Sequence, residues 1–212
     1  MANEISHINY SIVIPVYNGE TLLNLLIENI LMLKKSNNEI IFVDDCSSDN
    51  TNNILRKYEE IILITHDKNY GFGKSVISGI EMSKGKKIII FSIDSLITDK
   101  DIPFLLSKAH QYDLVIGARL YKKDIIGTFN EPYYYRLLNS IKSLTLYFTK
   151  NIKIIDPFSD IFVVDYKIFN EFEFKTLGYT FTYELINNHI KNGYTVVEVP
   201  IQIGITRGQT IE

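Results

Sequence analysis

The feature that most constrains this chain is a rhythm. Short β-branched runs alternate with longer stretches whose apolar residues recur every three or four positions. Tyr10–Val16, Glu39–Val43, Ile61–Thr65, Lys87–Ile93 and Asp113–Ala118 read as buried strands. Between them, Thr21–Lys34, a segment from Ser48 or Asp49 to Tyr58, a segment ending near Ser83 and Asp101–His110 read as helices. Strands alternating with helices build βαβ units around a mostly parallel sheet. In such sheets ligands settle at the carboxyl ends of the strands. Four of those ends are polar here: Pro15-Val16-Tyr17-Asn18, Asp44-Asp45, Ser92-Ile93-Asp94 and Gly117-Ala118-Arg119.

The second half is less regular. Tyr133–Lys150 is a long amphipathic stretch, Ile161–Asp165 and Thr195–Ile201 read as strands, and Phe181–Asn192 reads as a helix stopped by Gly193. With 212 residues, no internal repeat and no evident linker, the chain is expected to be one domain spanning 1–212.

Bulk composition narrows the classes. Apolar residues make up 46% and charged residues 22%, which fits a folded globular protein. A formal charge of −3 argues against a nucleic-acid partner, because such domains carry a basic excess. Cys46 is the sole cysteine, so no internal disulfide forms, which suits a reducing compartment. The start has no signal-like pattern, and no apolar run approaches the roughly 20 residues that span a bilayer. A cytoplasmic protein, in peripheral contact with a membrane at most, is the expectation. His7, His66, His110 and His189 show no ligand spacing and are read, with Cys46, as structural.

Taken together, Ser11–Asn18, Glu39–Thr51, the turn Asn69-Tyr70-Gly71-Phe72-Gly73 and the acidic residue after the fourth strand resemble glycosyltransferase family 2. Gly117-Ala118-Arg119, Asp156-Pro157-Phe158-Ser159-Asp160 and Val196–Ile201 narrow the resemblance to its dolichyl-phosphate mannose synthase and polyprenyl-phosphate glycosyltransferase branch. It runs from about residue 10 to the end. It implies a GT-A fold: α/β, a Rossmann-like three-layer sandwich with a mostly parallel central sheet. Residues from about 10 to 118 would form a nucleotide-binding half and those from about 119 to 212 an acceptor-binding half.

The resemblance also implies roles. Pro15, Tyr17, Glu20, Asp44, Asp45, Ser92 and Asp94 would surround a GDP- or UDP-linked sugar, with Asp44 near the base or ribose. Carboxylates suit that work because they accept charge-assisted hydrogen bonds from ring N–H groups and ribose hydroxyls. The alternative for Asp44, Asp45 and Ser47 is a turn and an N-cap, which suits Ser47 to Thr51 better than the two adjacent acids, and Gly71 and Gly73 suit a tight turn better than a backbone approach to phosphate. Arg119, Arg136 and Arg207 would hold a polyprenyl or dolichyl phosphate, since guanidinium presents a planar fork to phosphate. Asp94, Arg119 and Asp156 would be the catalytic group, with Asp156 lining the acceptor pocket. A phosphate acceptor needs no general base, because its oxygen is ionised near neutral pH; the attack would be a direct inverting displacement. A sugar-hydroxyl acceptor would need one, and Asp156 or Glu184 would be candidates.

One motif departs from the family pattern, which is Asp-x-Asp followed two residues later by Gln. Ser92 replaces the first Asp and Leu96 the Gln. A lone carboxylate about 4 Å from a phosphate is repelled by roughly 4 kcal/mol at an effective dielectric near 20. Asp94 beside a diphosphate therefore calls for Mg²⁺ or Mn²⁺, held by Asp94 together with the donor's own phosphates. A metal-independent or catalytically impaired homologue, acting as a nucleotide-binding or interaction module, is the alternative. Tyr133–Tyr135 with Arg136, Lys142 and Lys150 suit a membrane interface, a packed helix or a dimer contact.

Overall fold

The computed structural model describes residues 8–35, 37–95, 97, 100–119, 133–150 and 152–201; for 133–137, 139 and 149 it describes the backbone alone. The elements run β1 (Tyr10–Val16), α1 (Glu20–Leu31), β2 (Asn38–Asp44), α2 (Thr51–Leu55), β3 (Ile62–Thr65), α3 (Phe72–Met82), β4 (Lys87–Ile90), a 3-10 turn (Ile93–Ser95), α4 (Asp101–Ala109) and β5 (Leu114–Arg119). They continue as α5 (Tyr133–Lys150), β6 (Phe162–Asp165), α6 (Tyr166–Phe169), α7 (Phe181–Lys191) and β7 (Val196–Ile201).

These strands form one seven-stranded sheet in the order β3-β2-β1-β4-β6-β5-β7. β1 pairs in parallel with β2 and β4, β2 with β3, and β5 with β7, whereas β6 runs antiparallel between β4 and β5. The carboxyl ends of β1 to β5 and β7 therefore share one edge, and the segment leading into β6 arrives at that same edge.

Alternation along each strand feeds two cores. Ile12, Ile14, Ile40, Phe42, Ile89, Val115 and Val163 meet α1, α2 and α4 through Leu23, Ile27, Leu55 and Leu105. Val13, Ile41, Val43, Ile88, Ile90, Ile116 and Phe162 meet α3, α5, α6 and α7 through Val76, Leu146, Phe169 and Leu185. Strands loaded on both faces read as continuous apolar runs, which is why they were legible as buried. No helix among the described residues is long and apolar enough to cross a membrane.

Several expected boundaries move, and two of the shifts bear on the site. The strand expected to reach Ile93 leaves the sheet after Ile90, and Ile93–Ser95 coil into the 3-10 turn. There the Asp94 amide donates to Ser92 Oγ at 3.1 Å, a local bond that competes with the ladder. The helix expected to be capped by Ser48 or Asp49 begins at Thr51 and ends at Leu55 rather than Tyr58. Asp49 Oδ1 accepts from the Thr51 amide, but its other oxygen is committed to α1.

Candidate functional site

The turns after β1 and β2 are built as a pair. Each passes through a left-handed residue two positions beyond its strand, Asn18 at φ 50° and Cys46 at φ 62°. They then exchange hydrogen bonds. The amides of Asn18, Gly19 and Glu20 donate to Ser47 Oγ, Thr51 Oγ1 and Asp49 Oδ2 at 2.9, 2.8 and 3.0 Å. In return the amides of Ser48 and Asn50 donate to Asn18 Oδ1 and Glu20 Oε2 at 2.8 and 3.1 Å. The first amides of α1 are thus capped by the neighbouring loop rather than by their own side chains. Gly19 is required at the join: a Cβ there would lie 2.5 Å from Val16 Cγ2 and 3.5 Å from Ile93 Cγ2. Burial works to raise the Asp49 pKa, but the bonds from Thr51 and the Glu20 amide outweigh it and hold the carboxyl below its ordinary value.

The two aspartates at the end of β2 are turned inward. Asp44 is 1% exposed and accepts from the Ser47 amide at 3.0 Å and Asn52 Nδ2 at 2.8 Å. Asp45 Oδ1 accepts from the Tyr70 amide at 2.9 Å and meets His66 Nδ1 at 2.7 Å, and Oδ2 accepts from the Gly71 amide at 2.7 Å. His66 Nε2 lies 3.0 Å from Ser78 Oγ. Asp45 therefore clamps the loop between β3 and α3. Gly71, at φ +90°, and Gly73 serve close approach to the backbone of Leu177, whose carbonyl accepts from the Gly73 amide at 2.7 Å. Of the residues expected near a nucleotide, Pro15 is buried within β1, Glu20 is half-buried, and Tyr17 is 47% exposed on the open edge.

Ser92 is half-buried and Asp94 is exposed on the same edge. Ser95 Oγ next to them donates to Asp160 Oδ2. That bond joins the turn to a charged cluster at the end of β5. Arg119 Nε and Nη2 donate to Asp156 Oδ2 and Oδ1 at 2.8 and 3.0 Å, and Nη1 lies 3.6 Å from Asp160 Oδ1. Asp160 Oδ1 is shielded from solvent and accepts no hydrogen bond from the described residues. Behind Asp156, the amides of Ile155 and Asp156 donate to Glu198 at 2.8 and 2.7 Å. Burial pushes the Glu198 carboxyl up, and the Asp156 charge pushes the same way. Two carboxylates thus face one guanidinium, and Glu198 holds the backbone behind one of them.

Arg119 and Asp156, two of the expected site residues, are brought together as a direct bidentate ion pair. Ser95, Asp160 and Glu198, which join it, were not among the expected site residues. The contact of Ser95 with Asp160 crosses 65 positions and that of Glu198 with Asp156 crosses 42, and no local period reports such distances. Arg207 lies outside the described residues, as does the Arg136 side chain, although its backbone belongs to α5. Leu96 is likewise outside them. Glu184 accepts from the amides of Lys175 and Thr176 and from the Thr176 hydroxyl, a structural clamp. Partial burial works to raise its pKa, and those bonds overcome it, leaving the carboxyl below its ordinary value and poorly suited to act as a base.

Among the described residues, no three His, Cys, Asp or Glu side chains group as a self-sufficient metal cage. The donor set at Asp94 instead fits a hard cation shared with phosphate oxygens, for which one carboxylate suffices.

Comparison with known proteins accords with this geometry. The family model for Glycosyl transferase family 2 matches residues 11–172. An uncharacterized protein of Methanocaldococcus jannaschii is 28% identical over 207 residues, 94% of this chain and 83% of that protein. The undecaprenyl-phosphate 4-deoxy-4-formamido-L-arabinose transferase of Photorhabdus laumondii is 37% identical over 123 residues, 54% of this chain but only 38% of that protein. Among solved structures, glucosyl-3-phosphoglycerate synthase from Mycobacterium tuberculosis, in complex with Mn²⁺, uridine diphosphate and glucosyl-3-phosphoglycerate, superposes with a TM-score of 0.72. That match has 15% identity over 96% of this chain and 73% of the other, and it bears out the expected α/β GT-A fold.

Proposed function

The chain belongs to glycosyltransferase family 2, and from that premise we propose that it moves a sugar from a nucleotide diphosphate donor to a polyprenyl phosphate with inversion. The observation that carries the reading is the contact chain Ser95–Asp160–Arg119–Asp156. It ties the turn holding Asp94 to the arginine at the end of β5, so the residues assigned in this reading to donor and acceptor lie on one edge. The relatives named as undecaprenyl-phosphate transferases support the acceptor, and the Mn²⁺ and uridine diphosphate bound by the solved relative support the donor.

In this reading Tyr17 faces the base, while Asp44 and Asp45 act through the loops they fix. Asp94 holds Mg²⁺ or Mn²⁺ together with the donor's phosphates. A divalent cation there would stabilise the charge of the departing diphosphate. Arg119 directs the acceptor phosphate, its charge tempered by Asp156 and Asp160. Arg136 and Arg207 complete the grip, and residues 1–212 act as one domain.

Calorimetric titration of nucleoside diphosphates with and without Mn²⁺ tests the donor side. Tight, metal-enhanced binding that Asp94→Ala abolishes is the expected result. No binding of any nucleoside diphosphate would sink the reading. Release of nucleoside diphosphate on adding a nucleotide sugar and a polyprenyl phosphate tests the acceptor side.

A second reading, a nucleotide-binding module without transfer, is favoured by Ser92 standing where the family carries Asp. Ser92→Asp separates the two: a large gain in metal-dependent turnover marks a weakened enzyme, and none marks a changed function.

A further inference from the structure

Apolar side chains exposed singly are ordinary on a folded protein. Here they concentrate. Leu138, Ile141, Leu144, Tyr147 and Phe148 on α5, with Ile155 just beyond it, are 41, 48, 53, 51, 78 and 61% exposed. Positions 138, 141, 144 and 148 step by three and four, so they share one face of the helix. Leu146, on the opposite face, is fully buried and joins the core. Leu144, Tyr147 and Ile155 also line a shallow groove of about 390 Å³ with Ser143 and Lys153.

The charge of this region runs against that of the molecule. The whole chain carries −3, yet residues 133 to 155 contain Arg136, Lys142, Lys150 and Lys153 and no Asp or Glu. Glu198, beside Ile155, is turned inward onto the amides of Ile155 and Asp156. Lys142 is held over the Tyr183 ring at 4.6 Å, while Lys150 and Lys153 are exposed.

We propose that this face of α5, with Lys153 and Ile155, docks the protein on an anionic phospholipid bilayer. An aromatic and aliphatic stripe beside lysines lets the apolar groups enter the boundary of head groups and acyl chains. The ammonium groups meanwhile meet lipid phosphates. A water-facing helix gains nothing from Phe148 at that exposure, and an acidic partner protein would not call for the continuous apolar stripe. The inference lends sense to a lipid-phosphate acceptor, but it is tested without turnover, so the two readings fail separately.

The experiment is flotation of the whole chain with vesicles of phosphatidylcholine, alone or mixed with phosphatidylglycerol, at low and high salt. The protein should float with the mixed vesicles only, and less at high salt because surface charge is screened. Lys153→Ala should weaken binding about fivefold, the worth of one lysine at an anionic surface. Phe148→Glu should abolish flotation, whereas Met32→Glu, at an exposed apolar site on the far side of the sheet, should float like the parent. Thermal melts check that each variant is folded. Absence of flotation with mixed vesicles would overturn the proposal, and so would flotation indifferent to Phe148→Glu. A dimer in sedimentation that Phe148→Glu dissolves, without any vesicle binding, would overturn it in favour of a self-interface.

Discussion

The paired turns after β1 and β2 and the charged cluster after β5 sit on the same sheet edge, yet they are held by different physics. In the first region, backbone amides and short polar side chains satisfy one another reciprocally across two loops. Asp44 and Asp45 are consumed as acceptors of protein donors. In the second, one guanidinium balances Asp156, Asp160 and, through the backbone, Glu198. The first region is geometry completed before any ligand arrives. The second carries an excess of negative charge that depends on Arg119 staying where it is. A transferase profits from both, because a nucleotide needs a preformed surface while a phosphate needs tuned charge.

The largest expected effect strikes the second region. Arg119→Met removes the cation paired with Asp156, a carboxylate nearly closed to solvent, and breaking such a pair costs about 3–5 kcal/mol. Urea denaturation reads it; a loss below about 1 kcal/mol would mean that the cluster is not held by charge. Asp45→Asn strikes the first region. It leaves the carboxylate's three donors to one carbonyl oxygen, and a loss of about 2–3 kcal/mol is expected by the same measurement. Gly71→Ala follows, at about 1–2 kcal/mol. Its φ of +90° strains any side chain, and its Cβ would meet the Leu177 carbonyl at 2.9 Å.

Acid sharpens the contrast, because the two regions respond with opposite sign. The folded pKa of Asp49 lies below its ordinary 3.8, so the stability it contributes is present above that value and is lost as pH falls through the folded pKa. The folded pKa of Glu198 lies above its ordinary 4.5, so stability is lost as pH rises from there to the folded pKa. In denaturation curves collected across the acid range, Asp49→Asn should flatten the loss on acidification and Glu198→Gln should steepen it. Identical slopes in both variants would break the comparison. The smallest effect belongs to Cys46, whose φ of 62° suits Asn better. Cys46→Asn should raise the melting temperature slightly, worth about 0.5 kcal/mol.

Much of this architecture was legible in the chain. Tyr10–Val16 and Tyr133–Lys150 have the bounds that their periodicity predicts. The polar strand ends fell on one edge because parallel topology demands it. What escaped is what periodicity cannot carry. Ser92 bonds its neighbour's amide and ends β4 early. His66 reaches Asp45 from the end of β3, and Ser78 reaches His66 from α3. Asp160 ends a motif in the sequence, but only the fold brings Ser95 and Arg119 beside it. A period reports which face a residue takes, whereas a partner tens of positions away is fixed only by the fold.

The insertion of β6 between β4 and β5 has a consequence in time. β1 to β4 pair with one another, β4 keeping one edge for β6, so that part of the sheet can assemble as it is synthesised. Among the described residues β5 pairs with β6 and β7, both later in the chain. It must wait, both edges open, until residues beyond 162 leave the ribosome. Synthesis halted between β5 and β6 would leave an ordered first half followed by a bare apolar strand. That interval is when the nascent chain most needs a chaperone.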